Sequence, residues 1–237
     1  GIASHKGVEA ANKAGLEVII TDHHLPGNSL PDAKFIVNPN QKKCSFPSKS
    51  LCGVGVMFYV LLALRIAFRN KNTDYDEPKL IDLLDLVALG TIVDLVPLDF
   101  NNRILVSAGM NIIRGNKFNS GIKAIINESR KKNSSLKTSD LSFVIAPKIN
   151  AAGRLSDMTT GIRCLLSDNL AQASSYAKEL IKFNENRKQI ESSMVISAIE
   201  ELENQKSSIN YSIVLVNENW HEGVVGILAS RLKEKYF

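Results

Sequence analysis

The stretch EVIITDHHLPG, Glu17 to Gly27, sets a short β-branched run against an abrupt polar stop. Glu17 to Thr21 reads as a strand, and a short β-branched run of this kind suits a buried one. Asp22, His23 and His24 end it, and Pro26 and Gly27 turn the chain. Upstream, Lys6 to Ala14 places Val8, Ala11 and Ala14 on one side of a short helix that Gly15 closes. Downstream, Lys34 to Val37 reads as a second strand, stopped by Asn38, Pro39 and Asn40. Gly53 to Arg69 and Leu80 to Val93 are almost wholly apolar helices and belong in a core. Helix, strand, loop, strand, helix is the rhythm of an α/β domain with a mainly parallel sheet.

Further along, Ser142 to Ile149 is apolar and leads into a loop-like segment, Asn150 to Arg154. From Leu170 to about Gln205 there is no Gly or Pro, and Ala, Glu, Lys, Gln and Leu dominate, so one long helix is expected. It would span roughly 50 Å, more than a small domain needs, as a helix connecting two domains would. Tyr211 to Val216 then starts a strand and Gly223 to Lys235 a helix, the beginning of a second α/β domain. The expected organisation is a first domain over 1–165, the connecting helix over 166–207, and the start of the second domain over 208–237. The chain opens at Gly1 without an initiator Met and closes within an apparent helix, so both ends are expected to be cut.

The 237 residues are 44% hydrophobic and 22% charged, a globular composition that excludes disorder. No apolar run of 18 residues is free of charge, and no basic-then-apolar segment opens the chain, so neither a membrane partner nor a signal segment is expected. Cys44, Cys52 and Cys164 can make at most one pair and lack CxxC spacing, which points to a reducing, cytoplasmic setting. The net charge is +5. Between Asn111 and Lys137 seven basic residues (Arg114, Lys117, Lys123, Arg130, Lys131, Lys132, Lys137) face a single acid, Glu128. That run suits a phosphate-bearing partner or, more plainly, a solvated basic surface.

Chemistry can gather at the carboxyl end of a strand in an open α/β sheet, which is where Asp22, His23 and His24 fall. Two adjacent imidazoles cannot both point one way from an extended chain, so one can bind a metal while the other faces a substrate phosphate. A pair of loop histidines with ordinary hydrogen bonds is the alternative. Asp94 ends the apolar stretch LLDLVALGTIVDLVPL, where a carboxylate is costly unless it meets a cation or caps a helix. Gly90, one turn earlier, permits close backbone approach. Asp82 and Asp85 read as residues of an exposed face. Asn150 and Arg154 bracket two alanines and a glycine, so a ligand phosphate could approach and meet a planar guanidinium, with Lys148 adding charge nearby. Trp220 to Gly226 places His221, Gly223 and Gly226 at a helix start, where amides can meet an anion. Trp220 itself reads as packing. Gly53-Val-Gly55 lacks the Lys of a P-loop and the third Gly of a dinucleotide fingerprint, and reads as helix packing.

Four blocks, VIITDHHLPG, ALGTIVDLVPLDFNNRILV, KINAAGRLSDM and NWHEGVVGILASRL, occur in this order and at plausible separations. Together they resemble the RecJ branch of the DHH phosphoesterase superfamily, the single-strand-specific DNA exonucleases, over essentially the whole chain. The resemblance implies a DHH domain, a connecting helix and a DHHA1 domain. It implies 5′-to-3′ hydrolysis of single-stranded DNA in repair and recombination, two Mn2+ or Mg2+ ions, and partners among repair or replication proteins. By motif match His23 and Asp94 correspond to metal ligands, His24 to the histidine facing the phosphate, and Asp22 to the carboxylate orienting the histidines. Arg154, Asn150, His221, Gly223 and Gly226 lie in blocks that face nucleic acid in this family. An Asp-x-Asp motif and one further Asp of the family belong upstream of this region. The chain is therefore expected to be an internal piece of such an enzyme, inactive by itself. Two other readings are a phosphodiesterase of small oligoribonucleotides or cyclic dinucleotides, and a catalytically inactive replication scaffold. The WHEGVVG block weighs against the first of these, and retention of His23, His24 and Asp94 against the second.

Overall fold

The computed structural model describes residues 1–71, 77–115, 117–204 and 212–236. In chain order they form α1 (His5–Lys13), β1 (Ile19–Thr21), β2 (Phe35–Val37) and α2 (Gly53–Asn70). A 3-10 turn (Leu80–Leu83) leads into α3 (Leu84–Val93), followed by α4 (Phe100–Arg114) and α5 (Ser120–Glu128). The one-turn α6 (Thr138–Asp140) passes through a π-helical turn (Leu141–Ile145) into α7 (Ala146–Leu155), and α8 (Thr159–Leu166), α9 (Leu170–Asn204) and α10 (Glu222–Tyr236) complete the order. The α/β class holds, with a small parallel sheet in a mostly helical chain.

Two compact units emerge, Gly1–Asn119 with Lys131–Ser142, and Ser120–Arg130 with Phe143 onward. In the first, β1 and β2 pair in parallel, with Ile19 opposite Phe35, Ile20 opposite Ile36 and Thr21 opposite Val37. Only Ile20 of β1 is buried, while Ile19 and Phe35 are exposed. The buried strand expected over Glu17 to Thr21 is thus buried on one face, because no element among the described residues covers the other. The core of this unit gathers Leu51, Val56, Phe58, Leu80, Leu84, Val87 and Leu105. The helix α2 is by length and composition apolar enough to cross a membrane. It packs Val56 and Phe58 into that core, however, and its Arg69 makes a two-pronged bond to Glu77.

Asp85 corrects the sequence reading. It is buried rather than exposed, and its two carboxylate oxygens accept from the backbone amides of Leu86 at 2.6 Å and Asn119 at 2.6 Å. Burial pushes its pKa up and the two amides pull it back only in part.

In the second unit, α9 packs on α5, α7 and α8 and then on α10. Its length is used for packing against all four of these helices. Ile122, Ile125 and Ile126 of α5, Ala151 and Ala152 of α7, Cys164 of α8, and Ala173, Ala177 and Leu180 of α9 are all fully buried. A second cluster joins Met194 and Ala198 of α9 to Val224, Leu228 and Leu232 of α10, with Trp220 packed against it, as expected of that residue. Glu191 of α9 bridges Arg187 at 2.5 Å and Arg231 of α10 at 3.0 Å.

Two segments differ from expectation here. Asn150 to Arg154 is the body of α7, not a loop. Alanines favour helix, Pro147 sits in its first turn, and the small side chains let α7 lie close to α9. Residues 212–217 form no strand. A β-branched run needs a ladder partner for its backbone groups, and none lies among the described residues. Tyr211, the first residue of the expected strand, lies outside them. Cys44, Cys52 and Cys164 are all free.

Candidate metal centre

The ladder of β1 runs one step past its end, as the Asp22 amide donates to the Val37 carbonyl at 3.0 Å. The Asp22 side chain turns inward and is buried. One carboxylate oxygen accepts from the His23 amide at 2.7 Å, the His24 amide at 3.2 Å and the His24 Nδ1 at 2.7 Å. The other accepts from the Ile2 amide. Burial, the largest influence, pushes this carboxyl up in pKa. The bonds from Ile2, the His24 ring and amide, and the His23 amide outweigh it and hold the group well below the usual carboxylate range. Four protein donors thus meet the Asp22 carboxylate, an arrangement suited to an orienting group.

The two imidazoles lie in ring contact but engage different partners. Their rings are 4.4 Å apart and tilted by 49°. With Nδ1 engaged by Asp22, the His24 ring stands largely in solvent, its side chain 75% exposed, and presents Nε2 outward. The His23 side chain is only 18% exposed, and its Nε2 lies 3.3 Å from Asp94 Oδ2.

Asp94 arrives from α3, whose last turn it caps with its amide on the Gly90 carbonyl at 3.0 Å. The next residue, Leu95, takes φ 56°, a left-handed conformation unusual outside Gly, and this turns the chain away just past the carboxylate. Helix α3 is held to the start of α2 at Gly90. A Cβ there would meet Val54 Cγ1 at 2.4 Å. Val54 is itself helical and has one favoured rotamer, so it cannot swing aside. Gly90→Ala should accordingly lower stability by about 1–3 kcal/mol, read as a drop in the urea midpoint. An unchanged midpoint would show that α2 and α3 do not approach this closely.

Asp22, His23 and His24 offer ligand atoms within 4.8 Å of one another. The donor chemistry fits a hard divalent ion held by His23 and Asp94. Two ligands at neighbouring corners of an octahedron, each about 2.1 Å from the ion, stand about 3 Å apart. The 3.3 Å between His23 Nε2 and Asp94 Oδ2 matches that spacing. One imidazole with a carboxylate suits Mn2+ or Mg2+ better than a structural zinc, which favours Cys and several His.

The remaining predicted site residues fall in the second unit. Asn150 and Arg154 are exposed one turn apart on α7. His221 Nδ1 accepts from the Gly223 amide at 3.1 Å and so caps the start of α10, while Arg154 donates to the Gly223 carbonyl at 3.0 Å. A Cβ on Gly223 would meet the Arg154 carbonyl oxygen at 2.1 Å, so only Gly lets these chain segments touch. Gly226 lies on the open side of α10. Ala151 and Ala152, read as space for a ligand, are instead buried in the packing of α7. Lys148 donates to the Val144 carbonyl at 2.6 Å, and burial, then Lys188, pushes its pKa down. Of the basic run, Arg114 donates to the Leu136 carbonyl at 2.9 Å and Lys131 pairs with Asp140 at 3.1 Å, so part of it serves the fold.

Asn38 and Asn40 carry contacts to the histidine pair that the sequence does not suggest, since local pattern marks both only as strand breakers. Their side-chain amides reach the carbonyls of His24 and His23.

Residues 1–91 match the DHH family, N-terminal domain. Over its full length the chain is 50% identical to the single-stranded-DNA-specific exonuclease RecJ of Escherichia coli K12, and it spans 42% of that protein. It is similar to the crystal structure of RecJ from Thermus thermophilus in complex with Mn2+, with a TM-score of 0.82 and 33% identity over 99% of this chain and 34% of that one. The Mg2+ complex from the same organism matches with a TM-score of 0.75 and 32% identity, over 93% of this chain and 32% of that one.

Proposed function

We propose that this chain, DHH-family in its first 91 residues and RecJ-like along its length, supplies the histidine pair and one metal-binding carboxylate of an exonuclease acting 5′-to-3′ on single-stranded DNA. The observation that carries the reading is the pairing of His23 Nε2 with Asp94 Oδ2 beside an occupied Asp22. Mn2+ or Mg2+, when bound, supplies charge for the phosphate and a water acidic enough to act as nucleophile near neutral pH. His23 and Asp94 hold the ion. Asp22 fixes the His24 ring through Nδ1, so Nε2 faces the scissile phosphate and steadies the charge that develops there. Water adds through its oxygen to phosphorus and gives up a proton, the bridging P–O bond breaks, and the departing oxygen takes up a proton in return. Arg154, Asn150 and the start of α10 at His221, Gly223 and Gly226 hold the strand through its phosphates. The organisation proposed is a DHH domain to about residue 165, then the connecting helix and a DHHA1 domain from about residue 208. The setting proposed is cytoplasmic DNA repair and recombination, in company with repair or replication proteins.

The test uses the full-length protein with Mn2+ and end-labelled 5′-phosphorylated DNA. Mononucleotides should leave from the 5′ end of single strands and not from duplex. Hydrolysis of cyclic dinucleotides or short oligoribonucleotides without attack on single-stranded DNA would overturn the reading. In the same protein Arg154→Ala should weaken single-strand binding similarly for all base sequences and reduce the salt slope by about 1, because phosphate contacts carry no sequence information. A large loss of stability with unchanged DNA affinity would assign Arg154 to holding α10 alone.

A further inference from the structure

We infer that Asn38 and Asn40 are positioning residues that aim His23 and His24 separately, Asn40 on the metal side and Asn38 on the phosphate side. The inference rests on the metal-centre reading above. An imidazole on a loop points where its own backbone points it, so two neighbouring histidines that must face different ways need both peptide groups fixed. Here each is held from both ends. The His23 amide donates to Asp22 at 2.7 Å, and the His23 carbonyl accepts from Asn40 Nδ2 at 2.6 Å. The His24 amide donates to Asp22 at 3.2 Å, and the His24 carbonyl accepts from Asn38 Nδ2 at 2.9 Å. Asp22 thus grips the two N–H groups, and a separate asparagine grips each C=O.

The turn that carries the asparagines is itself tied down. Asn38 Oδ1 accepts from the Asn40 amide at 2.8 Å, an Asx turn that spaces the two side chains. Lys49 donates to the carbonyls of Pro39 at 2.7 Å and Cys44 at 2.6 Å, and Gln41 donates to the Ile36 carbonyl at 3.0 Å. Asn38 is fully buried, whereas Asn40 is half-buried. A turn needed only to end β2 would not require two side-chain amides directed at the backbone of residues 14 and 17 positions away.

The division of labour gives a split that a merely structural turn would not produce. In the full-length protein, Asn40→Ala frees the His23 carbonyl and should weaken Mn2+ binding about tenfold, measured by electron paramagnetic resonance without DNA. Asn38→Asp keeps the acceptor that makes the Asx turn and replaces the donor to His24 with a carboxylate oxygen that repels its carbonyl. It should leave Mn2+ affinity within about twofold and lower kcat at saturating Mn2+ by about tenfold or more, with KM for single-stranded DNA unchanged. The inference fails if both variants bind Mn2+ and turn over like the parent, or if both lose only melting temperature. His23→Ala is the control. If it abolishes Mn2+ binding while Asn40→Ala leaves the affinity unchanged, the positioning role alone is wrong. If His23→Ala binds Mn2+ normally, the metal-centre reading falls as well.

Discussion

Full-length protein carrying His23→Ala or Asp94→Ala should release nucleotides from 5′-phosphorylated single-stranded DNA at least about a thousandfold more slowly than the parent. Charge stabilisation by a bound divalent ion is worth several kcal/mol in the transition state, and about 4 kcal/mol is three decades of rate. His23 Nε2 and Asp94 Oδ2 face each other at the spacing of two ligands on one ion. Removing either leaves the other to hold the ion from one side. The fold should survive both changes. Neither side chain belongs to the apolar clusters, and Asp94 is 42% exposed. Unchanged circular dichroism and a melting temperature within a few degrees are expected alongside the lost activity. Near-normal turnover in either variant would defeat the ligand assignment.

Asp22→Asn should act on stability as well as on activity. The wild-type carboxylate accepts four hydrogen bonds, from the amides of Ile2, His23 and His24 and from the His24 ring. An amide in its place turns a donor toward at least one of those donors, and a buried orphan costs about 1–3 kcal/mol. Losing a charged acceptor adds to this, so a loss of about 2–4 kcal/mol at pH 7 is expected. The pH dependence carries a definite sign. The folded carboxyl lies below its unfolded value of about 3.9, so its contribution is complete above that pH and is lost as the pH falls through the folded value. The gap between wild type and Asp22→Asn in urea melts should therefore be constant from pH 7 down to about 5 and narrow below about 4. A gap that stays constant to pH 3, or widens, would show that the Asp22 carboxylate is not held as an anion by these donors.

What can be read without the fold is whatever local pattern decides. The apolar run of Gly53 to Asn70 and the Gly- and Pro-free run of Leu170 to Asn204 are helices within a residue or two of expectation. The placement of Asp22, His23 and His24 just past a strand also holds. What fails depends on partners distant in the chain. Asp85 looks like one face of a helix until the Asn119 amide, 34 residues on, is brought to it. Asn150 to Arg154 looks like a loop because Gly and Asn are breakers in isolation, yet α9 buries its alanines and makes helix the better state. Residues 212–216 have the right residues for a strand, but pairing is a property of two segments. Asn38 and Asn40 give the signal of a turn, and that signal is correct but incomplete. Their contacts to His23 and His24 need the parallel register of β1 and β2, which no local reading supplies.

The central claim is that His23 and Asp94 share one divalent ion. Crystals of the full-length protein grown with Mn2+ and measured at the manganese absorption edge test it most directly. The account predicts an anomalous peak bonded to both His23 Nε2 and an Asp94 carboxylate oxygen, with Asp22 still bonded to the His24 ring and outside the coordination shell. A peak coordinated by Asp22 instead, or His23 and Asp94 paired directly with manganese bound elsewhere, would contradict it.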